Sequence, residues 1–205
     1  RNGSTGSVTF IGTVSPAGGN LKEPVTESTK KAARCFYALA QARADKKRYP
    51  AVDPVDSYSK YLEYPEIIEY LQNRVDKDWV NKVNRAKTII RRGKEVYEQI
   101  NILGDDGVPI SYHEMYWKSE LIDFVILQQD AFDPIDSVTP MDRQEFMLSL
   151  VLKICDKSFT FETFEDCSAK FKEIINIMRQ MNYSEFKSEQ FNKYFEQVNK
   201  ILSDE

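Results

Sequence analysis

Steps of four and three residues separate Trp79, Val83, Ala86, Ile90, Gly93, Tyr97 and Ile100. That spacing predicts one long helix with a continuous apolar seam along a single face, ended at Gly104. Four further amphipathic segments follow, at Tyr112 to Gln128, Asp142 to Asp156, Phe164 to Met181 and Glu185 to Leu202. Together they predict a helical bundle. Before it the pattern differs. Ser7 to Val14, SVTFIGTV, is β-branched and apolar and runs into Ser15-Pro16-Ala17-Gly18-Gly19, which reads as one strand entering a loop. From Thr26, with Thr26 or Ser28 as cap, apolar residues at helical spacing (Ala32, Ala33, Phe36, Leu39, Ala40) predict a helix ending in the basic run Lys46-Lys47-Arg48. A lone strand cannot satisfy its own backbone groups, so Ser7–Val14 needs partners that this sequence scarcely provides. The fold expected is mainly α: a C-terminal bundle preceded by a strand-loop-helix remnant of an α/β domain.

Pro50 forces Tyr49 out of the helical region, and Pro54 does the same to Asp53. KKRYPAVDPVDSYSKY, Lys46 to Tyr61, therefore reads as a stiff corner, with Asp56 or Ser57 placed to cap the segment after it. Tyr49 then stands where it can lie against a planar ligand or pack on the bundle.

Composition sharpens the division. With 41% apolar and 12% aromatic residues the chain can bury a substantial core. Residues 1–60 carry 10 basic and 5 acidic side chains, net +5, and residues 61–205 carry 18 and 27, net −9. The overall −4 offers no general attraction to nucleic acid or anionic lipid. Two domains are expected, 1–60 and 61–205. Cys35, Cys155 and Cys167 have neither the number nor the spacing of a disulfide framework or zinc knuckle, which suits a reducing cytoplasm. No apolar run approaches the roughly 18 residues needed to span a bilayer.

The familiar chemical signatures are absent from these 205 residues. There is no G-x-x-x-x-G-K-[ST] loop, and Gly3, Gly6 and Gly12 do not form G-x-G-x-x-G. His113 is the sole histidine, which excludes H-E-x-x-H zinc chemistry and reads as a polar residue at a helix start. Asp105-Asp106 and the Asp53/Asp56 pair read as solvated or helix-capping carboxylates, not as general acids or bases. No catalytic residue and no metal ligand is expected here.

Three blocks carry a family resemblance: GSVTFIGTVSPAGGNLKEPVTEST, RYPAVDPVDSYSKY and LQQDAFDPIDS. In order and spacing they resemble the C-terminal part of the catalytic A subunit of V-type and archaeal A-type rotary ATPases, over nearly the whole chain. YPAVDPVDS also resembles the corresponding block of the F-type catalytic beta subunit, whereas A subunits more usually carry FPAI. The resemblance implies that Tyr49 stacks on adenine and that Phe132 is the second aromatic of the adenine pocket, although a core phenylalanine is the competing reading for Phe132. It implies that the loop containing Gly18, Gly19, Asn20, Lys22 and Glu23 faces the rotor, and that Asp105 and Asp106 mark a lever tip conveying motion to the shaft. ATP or ADP with Mg²⁺ is the implied substrate complex in the intact assembly, and no cofactor is expected on this portion alone. The implied partners are noncatalytic B subunits in an alternating A3B3 ring, central stalk subunits and, indirectly, a membrane sector moving H⁺ or Na⁺, with the head cytoplasmic and peripheral to the membrane. The phosphoryl-transfer groups would lie upstream, leaving an inactive C-terminal fragment. Two alternatives remain: the noncatalytic B subunit, and a helical adaptor with no nucleotide role.

Overall fold

The longest helix forms where the seam predicts it. In the computed structural model, which describes Gly3 and residues 5–203, helix α4 spans Trp79–Leu103 and buries Ala86, Ile90, Gly93 and Ile100. Arg1, Asn2, Ser4, Asp204 and Glu205 lie outside the described residues. Gly104 stops α4 at φ 80°, a left-handed conformation that costs glycine little, and its N–H closes the last turn on the Ile100 carbonyl at 2.8 Å.

The other long helices are α3 (Pro65–Arg74), α5 (Ile110–Ile122), α6 (Met141–Asp156), α7 (Phe164–Asn182) and α8 (Glu189–Ser203). Helix α4 packs along α5, α5 against α7 and α7 against α8. The core lies between α5, α6, α7 and α8, where Leu121, Val151, Ile154, Phe171, Met178 and Val198 are fully or almost fully enclosed. An aromatic cluster of Phe146, Phe186, Phe191 and Phe195 closes the α6–α8 end, with centroid separations of 5.1 to 5.7 Å. Thr163 caps α7 reciprocally: its hydroxyl oxygen accepts from the Asp166 N–H at 3.1 Å and its O–H donates to Asp166 Oδ2 at 2.8 Å. The mainly helical fold with a C-terminal bundle is thus the one expected.

The N-terminal unit departs from the expectation in three respects. Ser7–Val14 has no regular secondary structure, and Val8, Phe10 and Ile11 are exposed, because nothing within the described residues supplies the strand partners that an isolated β segment requires. The single helix expected from Thr26 to Arg48 is instead two short ones, α1 (Pro24–Ala32) and α2 (Gln41–Asp45), with strand β1 (Cys35–Phe36) between them. Apolar residues after Ala33 pair across a hairpin in preference to continuing the helix. β1 runs antiparallel to β2 (Tyr58–Ser59) with Phe36 opposite Tyr58, and Leu39 bridges Val52. Third, Glu23 precedes the first helical residue, while Thr26 is buried within α1 and donates to Glu23 Oε1 at 2.9 Å.

The corner keeps its stiffness through a different residue. The Asp53 carboxylate accepts from the Val55 and Asp56 N–H groups at 2.8 and 2.9 Å, whereas Ser57 Oγ accepts from the Ala38 N–H across the hairpin. Asp53 in turn donates its own N–H to the Ala38 carbonyl at 2.7 Å. Tyr49 is thereby held at the outer end of a hairpin-stapled loop.

Candidate functional site

After α5 the chain widens into a π turn, Asp123–Leu127, in which the Gln128 N–H reaches the Asp123 carbonyl five residues back at 2.9 Å. The next segment, Gln129 to Thr139, is stapled by its own aspartates. Asp130 Oδ1 accepts from the Phe132 N–H, Asp133 Oδ1 accepts from the Ile135 and Asp136 N–H groups, and Asp136 Oδ2 accepts from the Asp130 N–H at 2.6 Å. The repeated aspartates of QQDAFDPIDS are therefore scaffold: they fix a tight loop that thrusts Phe132 outward. Phe132 is 99% exposed, which removes the core-phenylalanine reading.

This loop meets the Tyr49 corner directly. The Gln129 N–H donates to the Tyr49 carbonyl at 2.9 Å, and the two segments border an open cleft of about 640 Å³. Tyr49 and Phe132 both line it, with Phe124, Gln128, Asp136 and Arg179 among the other walls. Tyr49 is half exposed. Among the described residues the buried Gln128 Oε1 has no hydrogen-bond partner, and outside the cleft lining the same is true of Arg43 Nε. Burial pushes the Asp136 carboxyl above its ordinary range, opposed by the Asp130 N–H and the Arg143 guanidinium. Arg143 is itself buried and donates to the Met181 and Asn182 carbonyls, tying the floor of the cleft to the end of α7. The cleft thus offers aromatic faces and hydrogen-bonding edges. Its carboxylates are engaged in holding the backbone.

Residues 1–59 match the model of the ATP synthase alpha/beta family nucleotide-binding domain, and residues 69–160 that of the C-terminal domain of V and A type ATP synthase. The V-type ATP synthase alpha chain of Chlamydia abortus is 39% identical over 202 residues, 98% of this chain and 34% of that one. That of Protochlamydia amoebophila is 38% identical over the same extent. Over nearly its whole length the chain is similar to V-type ATP synthase alpha chains. It spans about a third of the length of these curated relatives. Because the matched relatives are alpha chains, the B-subunit alternative is not favoured. The solved structure of the ATP synthase subunit NeqB from Nanoarcheaum equitans superposes with a TM-score of 0.50 at 16% identity, covering 69% of this chain and 32% of that one, a likeness of fold.

The other residues singled out by the alpha-chain resemblance lie on two loops outside the cleft lining. Gly18 and Gly19 adopt φ 60° and 72° in a short 3-10 turn, and with Asn20 and Lys22 they are exposed. Asn20 Oδ1 accepts from the Lys22 N–H at 3.1 Å, and Glu23 is taken up by Thr26. Asp105 and Asp106 are exposed in the turn after α4. That turn is anchored by His113, which is buried, stacks on Phe164 with centroids 5.3 Å apart and lies 3.0 Å through Nε2 from the Asp105 carbonyl. The lone histidine thus holds a loop in place.

Sequence reasoning missed the residues that join the N-terminal unit to the bundle. Arg43 contacts Asp123 at 2.8 Å, while Arg48 contacts both Asp123 and Glu120, the latter at 2.7 Å, with its guanidinium 3.8 Å from the Phe124 ring centre. These pairs are 72 to 80 residues apart in the chain, and no local periodicity connects them. Among the described residues, no helix is long and apolar enough to cross a membrane.

Proposed function

We propose that this chain is the C-terminal part of a catalytic alpha (A) subunit of a V/A-type rotary ATP synthase, and that its cleft holds the adenine of bound ATP or ADP. The observation that carries the reading is the convergence of Tyr49 and Phe132, from two distant parts of the chain, on one cleft of about 640 Å³. A flat base offers apolar faces to aromatic rings and polar edges to hydrogen-bond partners. The unpartnered Gln128 Oε1 suits the exocyclic amine of adenine. The volume falls within the range of small-molecule sites.

On this reading the assembly couples ATP hydrolysis or synthesis to rotation and to H⁺ or Na⁺ transport. The noncatalytic B subunits alternate with it in a ring, and the central stalk meets the loops at Gly18–Glu23 and Asp105–Asp106. Residues 1–60 complete the nucleotide-binding domain, residues 61–205 form the helical domain, and the head lies in the cytoplasm at the membrane surface. Phosphate and Mg²⁺ would be held by a phosphate loop and carboxylates that these 205 residues do not contain. The 205 residues by themselves are accordingly expected to be inactive and to bind nucleotide weakly.

In the full-length subunit within its complex, Tyr49→Ala should weaken ATP binding roughly tenfold or more, the value of one lost stacking face. Tyr49→Phe should be nearly silent, since the ring face is retained. Calorimetric titration of the isolated 205-residue chain with ATP that returned a micromolar constant would overturn the assignment of phosphate binding to other residues.

A further inference from the structure

The cleft has two walls from two structural units, and what sets their separation is visible beside it. Arg48 immediately precedes Tyr49, and Asp123 opens the π turn that leads into Gln128–Phe132. The Arg43 and Arg48 side chains cross from one unit to the other and are 13 to 14% exposed; their partners Glu120 and Asp123 are 17 and 12% exposed. Two guanidinium groups face two carboxylates, so the cluster is balanced in charge. Arg48 is gripped from two sides and pressed on Phe124, itself part of the cleft wall. Burial works against its charge, and the Glu120 and Asp123 carboxylates more than reverse that, leaving it firmly ionised. Directional, charge-assisted bonds in a partly desolvated setting define a distance, where apolar contact alone would let the walls slide. On the cleft side of this cluster, the Gln129–Tyr49 backbone bond joins the same two segments.

We propose that Arg43, Arg48, Glu120 and Asp123 are positioning residues that set the width of the nucleobase cleft by holding Tyr49 in register with Phe132. This rests on the adenine reading above and deepens it: none of the four residues lines the cleft, so the cluster acts through the wall it anchors. The π turn is part of the device. It places Asp123 within reach of both arginines while directing Gln128 into the cleft.

The test uses the full-length subunit in its complex, with ADP and inorganic pyrophosphate as calorimetric probes. Arg48→Gln should weaken ADP binding roughly tenfold, the value of the stacking contact that a displaced Tyr49 loses, and leave pyrophosphate binding unchanged, because pyrophosphate has no base to position. Arg48→Lys, which keeps the charge without the two-sided grip, should fall between. Hydrogen exchange should accelerate at the Gln129 amide in both variants while the Phe171–Met178 stretch of α7 keeps its protection. Should Arg48→Gln fail to assemble, Arg48→Lys carries the same comparison. Equal losses for ADP and pyrophosphate would overturn the proposal, since they mark general damage. If Tyr49→Ala weakens ADP binding and the Arg48 variants do not, the adenine reading stands and the positioning role falls. If Tyr49→Ala is itself silent, the adenine reading fails and the positioning role falls with it.

Discussion

Gly93 faces α5 so closely that a single methyl group tests the α4–α5 packing. A Cβ built there lies 2.1 Å from Ser119 Cβ and 2.4 Å from its Oγ, with the Met115 carbonyl at 3.6 Å. Carbon atoms in ordinary contact stand about 3.5–4.0 Å apart, so Gly93→Ala forces the two helices to part locally by more than about 1 Å. Ser119 Cβ is fixed to its backbone and cannot rotate aside. Overpacking of this kind costs about 1–3 kcal/mol, against a helix-propensity gain of about 1 kcal/mol from replacing glycine inside a helix. The strain should exceed the gain, because Glu120 follows Ser119 and is carried away from Arg48 by the same displacement. We expect a net loss of about 1–2 kcal/mol, read in urea as a midpoint lowered by roughly 0.5–1 M at an unchanged slope. Ser119→Gly removes both obstructing atoms. In a double-mutant cycle the pair Gly93→Ala/Ser119→Gly should show a favourable coupling of about 1 kcal/mol or more. If Gly93→Ala matches or exceeds the wild-type midpoint, or the cycle shows no coupling, the close approach of α4 and α5 at this position is refuted.

Ile90→Ala, one turn before Gly93 on the same seam, should cost about 2–4 kcal/mol through lost packing and a residual cavity; an unmoved urea midpoint would place Ile90 off the buried face. Thr163→Ala should cost about 1 kcal/mol by freeing the Asp166 N–H at the start of α7, while Thr163→Ser should stay near wild type, and equal stability of all three proteins would dismiss the cap. The Asp136 carboxyl is raised from its ordinary 3.8 by burial, so its contribution to stability is complete below that ordinary value and is lost as the pH climbs through the raised one. Asp136→Asn keeps an acceptor for the Asp130 N–H and removes the charge, so it should gain on the wild type as the pH rises from about 4 to 7; a variant that loses ground over that interval contradicts the sign.

Local pattern was enough for the bundle. The alternation of four and three from Trp79 to Ile100 is a property of one helix turning at its own pitch, and α4 appears with Ala86, Ile90, Gly93 and Ile100 buried. The Gly104 stop and helices α6 and α7 were legible for the same reason: caps and periodicity act within a few residues. Periodicity misled at Phe36 and Leu39. Their spacing suits a helix, but a hairpin partner at Val52–Ser59 offered cross-strand pairing that no window around Phe36 contains. Ser7–Val14 has strand chemistry and no neighbouring strand among the described residues, and propensity without a partner leaves it irregular. The cleft belonged to tertiary structure in a stricter sense. Tyr49 and Phe132 were named by family resemblance, but the walls between them, the unpartnered Gln128 Oε1 and the Arg43/Arg48 contacts with Glu120 and Asp123 arise only when two segments distant in the chain meet. Charge pairing is decided by distance in space, and a sequence records distance only along the chain; for pairs 72 to 80 residues apart, folding alone brings them together.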